Sequence, residues 1–219
     1  MTKSYLLARS LVAAASCLAV ASASAAPATW TDWTSISGTT AVGTLGGVLV
    51  TATTNGSPTM NGPSQTACGT NWWGGTAYTN GNLDNGPSAC EQVGLINAVS
   101  ITVTFGSAIN DLYMALLSVG QSGIQITYDF DQAFSIDSQG TGAFGSGPGV
   151  MGAGDTLAMR EFHGVVRFAA PVMSMTFTTN PAENWHAFTF GTVPEPGTLA
   201  LVGAALLGAG ALARRRPAR

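Results

Sequence analysis

Four segments of this chain alternate apolar and polar side chains one for one, and that pattern limits what it can fold into. Val99, Ile101, Val103 and Phe105 interleave with Ser100, Thr102 and Thr104, and Ile124, Ile126, Tyr128 and Phe130 with Gln125, Thr127 and Asp129. Met173, Met175 and Phe177 enclose Ser174 and Thr176, and His186, Phe188 and Phe190 enclose Ala187 and Thr189. A period of two puts successive side chains on opposite faces of an extended chain, so each run reads as a half-buried strand. Residues 48–53, 112–119, 134–137 and 165–168 add shorter candidates, with Gly, Asn, Pro and Ser clusters between them. No stretch of this region keeps a helical stripe for three turns. The expectation is all-β: roughly nine antiparallel strands in one β-sandwich, nearer a jelly roll than an immunoglobulin-type array.

Charge divides the chain into three unlike pieces. Lys3 and Arg9 lead it, Arg214, Arg215, Arg216 and Arg219 close it, and between them Arg160 and Arg167 face ten acids from Asp32 to Glu183. Charged residues make up 9% of the whole, with 28 Gly, which argues against an ordinary helical cytosolic enzyme. The acidic middle offers no basic patch, so nucleic acid is excluded as a partner. At the front, the two cations precede an apolar run over 11–20 and then Ala23-Ser24-Ala25, the layout of a secretory signal cleaved after Ala25. Cys17 lacks the flanks of a lipoprotein cysteine, so lipidation is not expected. The domains are therefore a signal peptide over 1–25, a sandwich ectodomain over 26–192 and a terminal segment over 193–219.

In that terminal segment Pro194 and Pro196 hold the backbone extended around Glu195, because proline fixes φ and disfavours helix before it. An apolar run of good helix formers follows and ends at Arg214, Arg215 and Arg216, which the positive-inside rule keeps cytoplasmic. Residues 198–213 span about 24 Å as a helix, against about 30 Å of hydrocarbon, a short transmembrane helix suited to a temporary stop. Pro194-Glu195-Pro196, a short apolar helix and a terminal arginine cluster together resemble the PEP-CTERM sorting signal of Gram-negative bacteria. That resemblance implies processing by exosortase after export across the inner membrane. It also implies a membrane-anchored intermediate and a final place at the cell surface or in an exopolysaccharide-rich biofilm matrix. Glu161-Phe162-His163-Gly164-Val165-Val166-Arg167-Phe168 and Asn184-Trp185-His186-Ala187-Phe188-Thr189-Phe190-Gly191 resemble recurring segments of one group of PEP-CTERM ectodomains, which supports architecture more than activity.

Signal removal leaves Cys68 and Cys90, an even pair in an oxidising compartment, and a disulfide between them is expected. It would close a loop of about 22 residues, worth roughly 3 kcal/mol in the chain-entropy model, where Gly, Asn and Thr leave little to pack. Too few cysteines remain for a zinc-thiolate site. Inside the loop, Trp72, Trp73 and Tyr78 are candidates for stacking on sugar rings if exposed; inward-turned, the tryptophans would plug one end of the sandwich. Trp30, Trp33 and Trp185 read as core or edge cover. Asn80, Asn82, Asp84 and Glu91 fall at positions 1, 3, 5 and 12 of a calcium-loop template that lacks its glycine at position 6, so calcium is a weak candidate ligand and no other cofactor is expected.

Other signals point away from catalysis. Gly140-Thr141-Gly142-Ala143-Phe144-Gly145 spells a dinucleotide fingerprint, but Ser146-Gly147-Pro148-Gly149 cannot begin the helix that chemistry needs, so it reads as a flexible surface loop. The two imidazoles, His163 and His186, read as hydrogen-bonded structure. Thr51 with Thr53, Thr102 with Thr104 and Thr176 with Thr178 each share a strand face, but without the fixed interval of an ice-binding array they read as isolated pairs. The leading expectation is a non-catalytic surface or matrix module contacting exopolysaccharide. The alternative is a polysaccharide hydrolase using carboxylates such as Asp129, Asp131 or Glu161.

Overall fold

The chain is described by a computed structural model over residues 25–55, 60–61 and 68–194. Residues 1–24 of the signal segment, Glu195, Pro196, the proposed membrane helix and Arg214, Arg215 and Arg216 lie outside the described residues. In chain order the strands are β1 (Thr29–Trp30), β2 (Asp32–Ser37), β3 (Thr40–Leu45), β4 (Val48–Thr54), β5 (Met60–Asn61), β6 (Val93–Leu95), β7 (Val99–Ile109) and β8 (Leu112–Val119). They continue with β9 (Ile126–Phe130), β10 (Ser135–Gln139), β11 (Gly149–Met151), β12 (Thr156–Met159), β13 (Phe162–Phe168), β14 (Val172–Asn180) and β15 (His186–Thr192). One 3₁₀ turn, Thr76–Tyr78, interrupts them.

All the alternating runs form strands. The count is fifteen among the described residues, not nine, because the added strands lack a long apolar alternation. β1 and β5 are two residues each, β6 and β11 three, and β2 and β3 are built mainly of Thr, Ser, Gly and Ala. Two antiparallel sheets result. One runs β10-β13-β8-β15-β6-β5, with β1 also pairing β15; the other runs β11-β12-β9-β14-β7-β4-β3-β2. From β6 onward, successive long strands fall in opposite sheets, so the chain crosses the sandwich again and again.

Two apolar layers follow. Between the sheets, the inward sets Ile101, Val103 and Phe105 of β7, Ile126, Tyr128 and Phe130 of β9, and Phe188 and Phe190 of β15 interdigitate, with rings meeting edge to face. A second layer lies outside the first sheet. There Trp30, Trp73, Ala77, Tyr78 and Leu83 cover Tyr113, Ala115, Leu117, Val165 and Ala187. That cover explains β8, whose eight residues are all buried: a strand with apolar matter on both faces needs no polar alternation. The second sheet keeps a solvated outer face and the expected alternation, as in β7.

Candidate functional site

The cover over the first sheet is the segment stapled by the Cys68–Cys90 disulfide, whose Cα atoms are 4.7 Å apart. It lies flat on the sheet's outer face as a strap and does not plug the end of the sandwich. Several hydrogen bonds hold it. Ser138 Oγ donates to Ala77 O (2.7 Å), Asn85 both accepts from Ala28 N–H (2.6 Å) and donates to Ala28 O (3.0 Å), and Asn82 bonds Asp137 by its amide and its backbone N–H.

The strap divides the three aromatic candidates. Trp73 and Tyr78 turn inward and are buried, Trp73 meeting Tyr78 edge to face at 5.3 Å. Trp72 turns outward, 38% exposed, and its ring lies 5.0 Å from that of Phe144, itself 46% exposed. Trp72, Trp73 and Tyr78 therefore do not form one platform. Neighbouring residues on a surface segment point to opposite sides, and the underlying sheet claims one of them. Phe144 is not legible as a partner of Trp72 in the sequence, because nothing local ties its glycine-rich segment to the strap. That segment is pinned: Gly140 N–H donates to His163 O (3.1 Å), Gly142 N–H to Gly145 O (2.8 Å), Gly147 N–H to Glu161 O (3.1 Å) and Gly149 N–H to Gln139 Oε1 (2.9 Å). A Cβ at Gly142 would clash with the His163 ring at Nδ1, so glycine fits there as no larger residue does.

His163 links the two segments. Its Nδ1 is 2.8 Å from the Tyr78 hydroxyl, which also lies 3.2 Å from Leu116 O, and Phe144 N–H points at Nε2 (3.4 Å). One assignment satisfies all three contacts: Nδ1–H donates to Tyr78, Tyr78 donates to Leu116 O, and Nε2 accepts from Phe144. That is a neutral imidazole. Burial lowers its pKa to about 4 and pushes the Tyr78 phenol well up. His186, the other imidazole, is buried between the sheets with Nδ1 2.6 Å from Glu183 Oε1, which also accepts from Gly120 N–H (2.9 Å). Beside it the Tyr128 phenol is raised by burial and then by the Glu183 charge.

The calcium candidates serve the strap. Asn80 donates to Gln139 O (3.1 Å), Asn82 is held by Asp137, and Glu91 accepts from Ser88 N–H, while the Asp84 backbone N–H reaches Ala26 O (3.2 Å). Among the described residues no group of three or more His, Cys, Asp or Glu side chains gathers. Of the alternative's carboxylates, Glu161 accepts from Ser118 Oγ (3.3 Å), and Asp129 and Asp131 edge a shallow depression of about 200 Å³ with Thr176 and Thr178.

That depression lies on a surface the sequence did not reveal. Strand pairing aligns Thr40, Thr53, Thr102 and Thr176 in one row across β3, β4, β7 and β14, and Thr51, Thr104 and Ser174 in the next. The Thr102 and Thr176 hydroxyls are 3.1 Å apart. The Thr pairs are not isolated: segments far apart in the chain become neighbours in register.

At one end of the sandwich, Val193 and Pro194 leave β15 beside an open groove of about 530 Å³, lined also by Thr29, Val48, Ile109 and Asn110. No curated protein and no solved structure matches the chain. Residues 192–216, starting at the last residue of β15, match the family described as the PEP-CTERM protein-sorting motif, which supports a PEP-CTERM exosortase-substrate protein.

Proposed function

We propose that this is an exported cell-surface or extracellular-matrix protein whose sandwich serves as a non-catalytic interaction module for exopolysaccharide. The tail would act as a temporary inner-membrane anchor, with a short helix over 198–213 stopped by Arg214, Arg215 and Arg216, until exosortase releases the body. The observation that carries this reading is the junction: β15 ends at Thr192 and the sorting motif begins there, so a folded body passes straight into a processing signal. The fold reading behind it is a jelly roll. The strand order β6-β15-β8-β13 against β7-β14-β9-β12, with chain neighbours in opposite sheets, supports it. The non-catalytic reading is supported by the imidazoles, since the ring nitrogens of His163 contact Tyr78 and Phe144 and His186 is buried against Glu183. The test is the intact mass of the protein recovered from wild-type cells and from cells lacking exosortase. A tail trimmed near Pro194 in the wild type alone is the expected result; equal masses would remove the sorting reading.

A further inference from the structure

We propose that Trp72 and Phe144 form the aromatic floor of a subsite for a neutral glycan, a proposal that rests on the exopolysaccharide reading and specifies the site and the ligand class. The two rings come from separate segments, 5.0 Å apart and inclined at 38°, and both are exposed. Each segment is fixed independently. The strap holds Trp72 through the Cys68–Cys90 disulfide and through Asn71, whose side chain accepts from Trp73 N–H (3.0 Å) and donates to Pro87 O (3.4 Å). Phe144 is fixed by its N–H to His163 and by stacking over that ring at 21°. Rigid, exposed rings bind without first being ordered, which favours a weakly held ligand such as a sugar.

The surroundings select the class. Residues 68–83 and 140–154 contain no charged side chain. Exposed Thr70, Asn71, Thr76, Thr141 and Ser146 offer hydroxyl and amide groups on these segments. The carboxylates that approach them, Asp137 at Asn82 and Glu161 beside Gly145, are both negative. A uronate polymer or a nucleic acid backbone would meet like charge from these carboxylates, and neither segment supplies a cation of its own. A protein interface buries about 800 Å² per partner around an apolar centre, far more than two rings set among Gly and Thr provide. A sugar ring presents an apolar C–H face to an aromatic ring and neutral hydroxyls to a rim of this kind.

The experiment uses exported protein recovered from cells, its trimming checked by intact mass on the same sample. Tryptophan fluorescence and calorimetry are followed while dextran, a β-1,4-glucan oligomer, a galactomannan and alginate are titrated in. Binding to at least one neutral polymer, weakened about tenfold by Trp72→Ala and by Phe144→Ala and largely retained in Trp72→Phe, is expected. Unchanged thermal unfolding shows each variant to be folded, and Phe144→Ala carries the test alone if Trp72→Ala is not. No binding to the three neutral polymers, alginate bound as well as they are, or neutral binding indifferent to both variants would overturn the proposal. Trimmed protein with any of these results leaves the sorting reading standing; untrimmed protein removes that reading separately.

Discussion

His163 is the side chain whose chemistry is most altered by its surroundings. Neutral, it satisfies Tyr78 and Phe144 together; protonated, its Nε2–H would face the Phe144 N–H it now accepts from. The folded pKa of about 4 lies below the ordinary value near 6.5, so between those values the unfolded chain binds the extra proton. This contribution to stability is complete above pH 6.5 and is lost as pH falls toward 4, by about 3 kcal/mol. Urea midpoints of wild type and His163→Gln at pH 7, 5.5 and 4 check it, and the wild type should lose more across that range. At this scale the sequence reads His163 as hydrogen-bonded but gives no partner for it, because Tyr78 and Phe144 lie 85 and 19 positions away.

Among the elements, the strap has the least support of its own. Its buried residues Trp73, Ala77, Tyr78 and Leu83 bury their surface only by docking on β8, β13 and β15. The cross-link limits how far the strap can move in the open state, so replacing both Cys68 and Cys90 by Ser is expected to cost about 3 kcal/mol. It should also open the strap before the sandwich. Hydrogen exchange would report this as lost protection at the Thr79 and Asp84 amides, which donate to Thr76 O and Ala26 O, while β7 and β14 stay protected. The disulfide was legible from two remaining cysteines. That the stapled segment covers a sheet face was not, because its polar composition conceals Trp73, Ala77, Tyr78 and Leu83 among glycines and asparagines. The long strands were legible from alternation. The short ones were not, since two or three residues carry no period, and pairing with a neighbour defines them.

At the scale of the whole molecule, the order in which the chain builds its sheets sets the kinetics. From β6 onward, apart from the short hairpin of β11 and β12, neighbours in sequence fall in opposite sheets, so most pairings join distant segments, as β15 with β8 and β14 with β7. Closing such loops costs entropy before any contact compensates. Refolding with the disulfide intact should therefore take milliseconds to seconds or longer, in the range of all-β topologies; stopped-flow tryptophan fluorescence would measure it, and microsecond refolding would contradict the topology. By itself the sequence determined the strand-rich class, the cysteine pair, the acidic body between cationic ends and the sorting motif. These are local properties of composition, alternation and spacing, and they need no partner from elsewhere in the chain. Tertiary structure alone decided which of Trp72, Trp73 and Tyr78 faces solvent, that Phe144 joins Trp72, and that the scattered threonines form rows. Each of these depends on two distant segments meeting in one register, and strand pairing, a long-range event, sets that register.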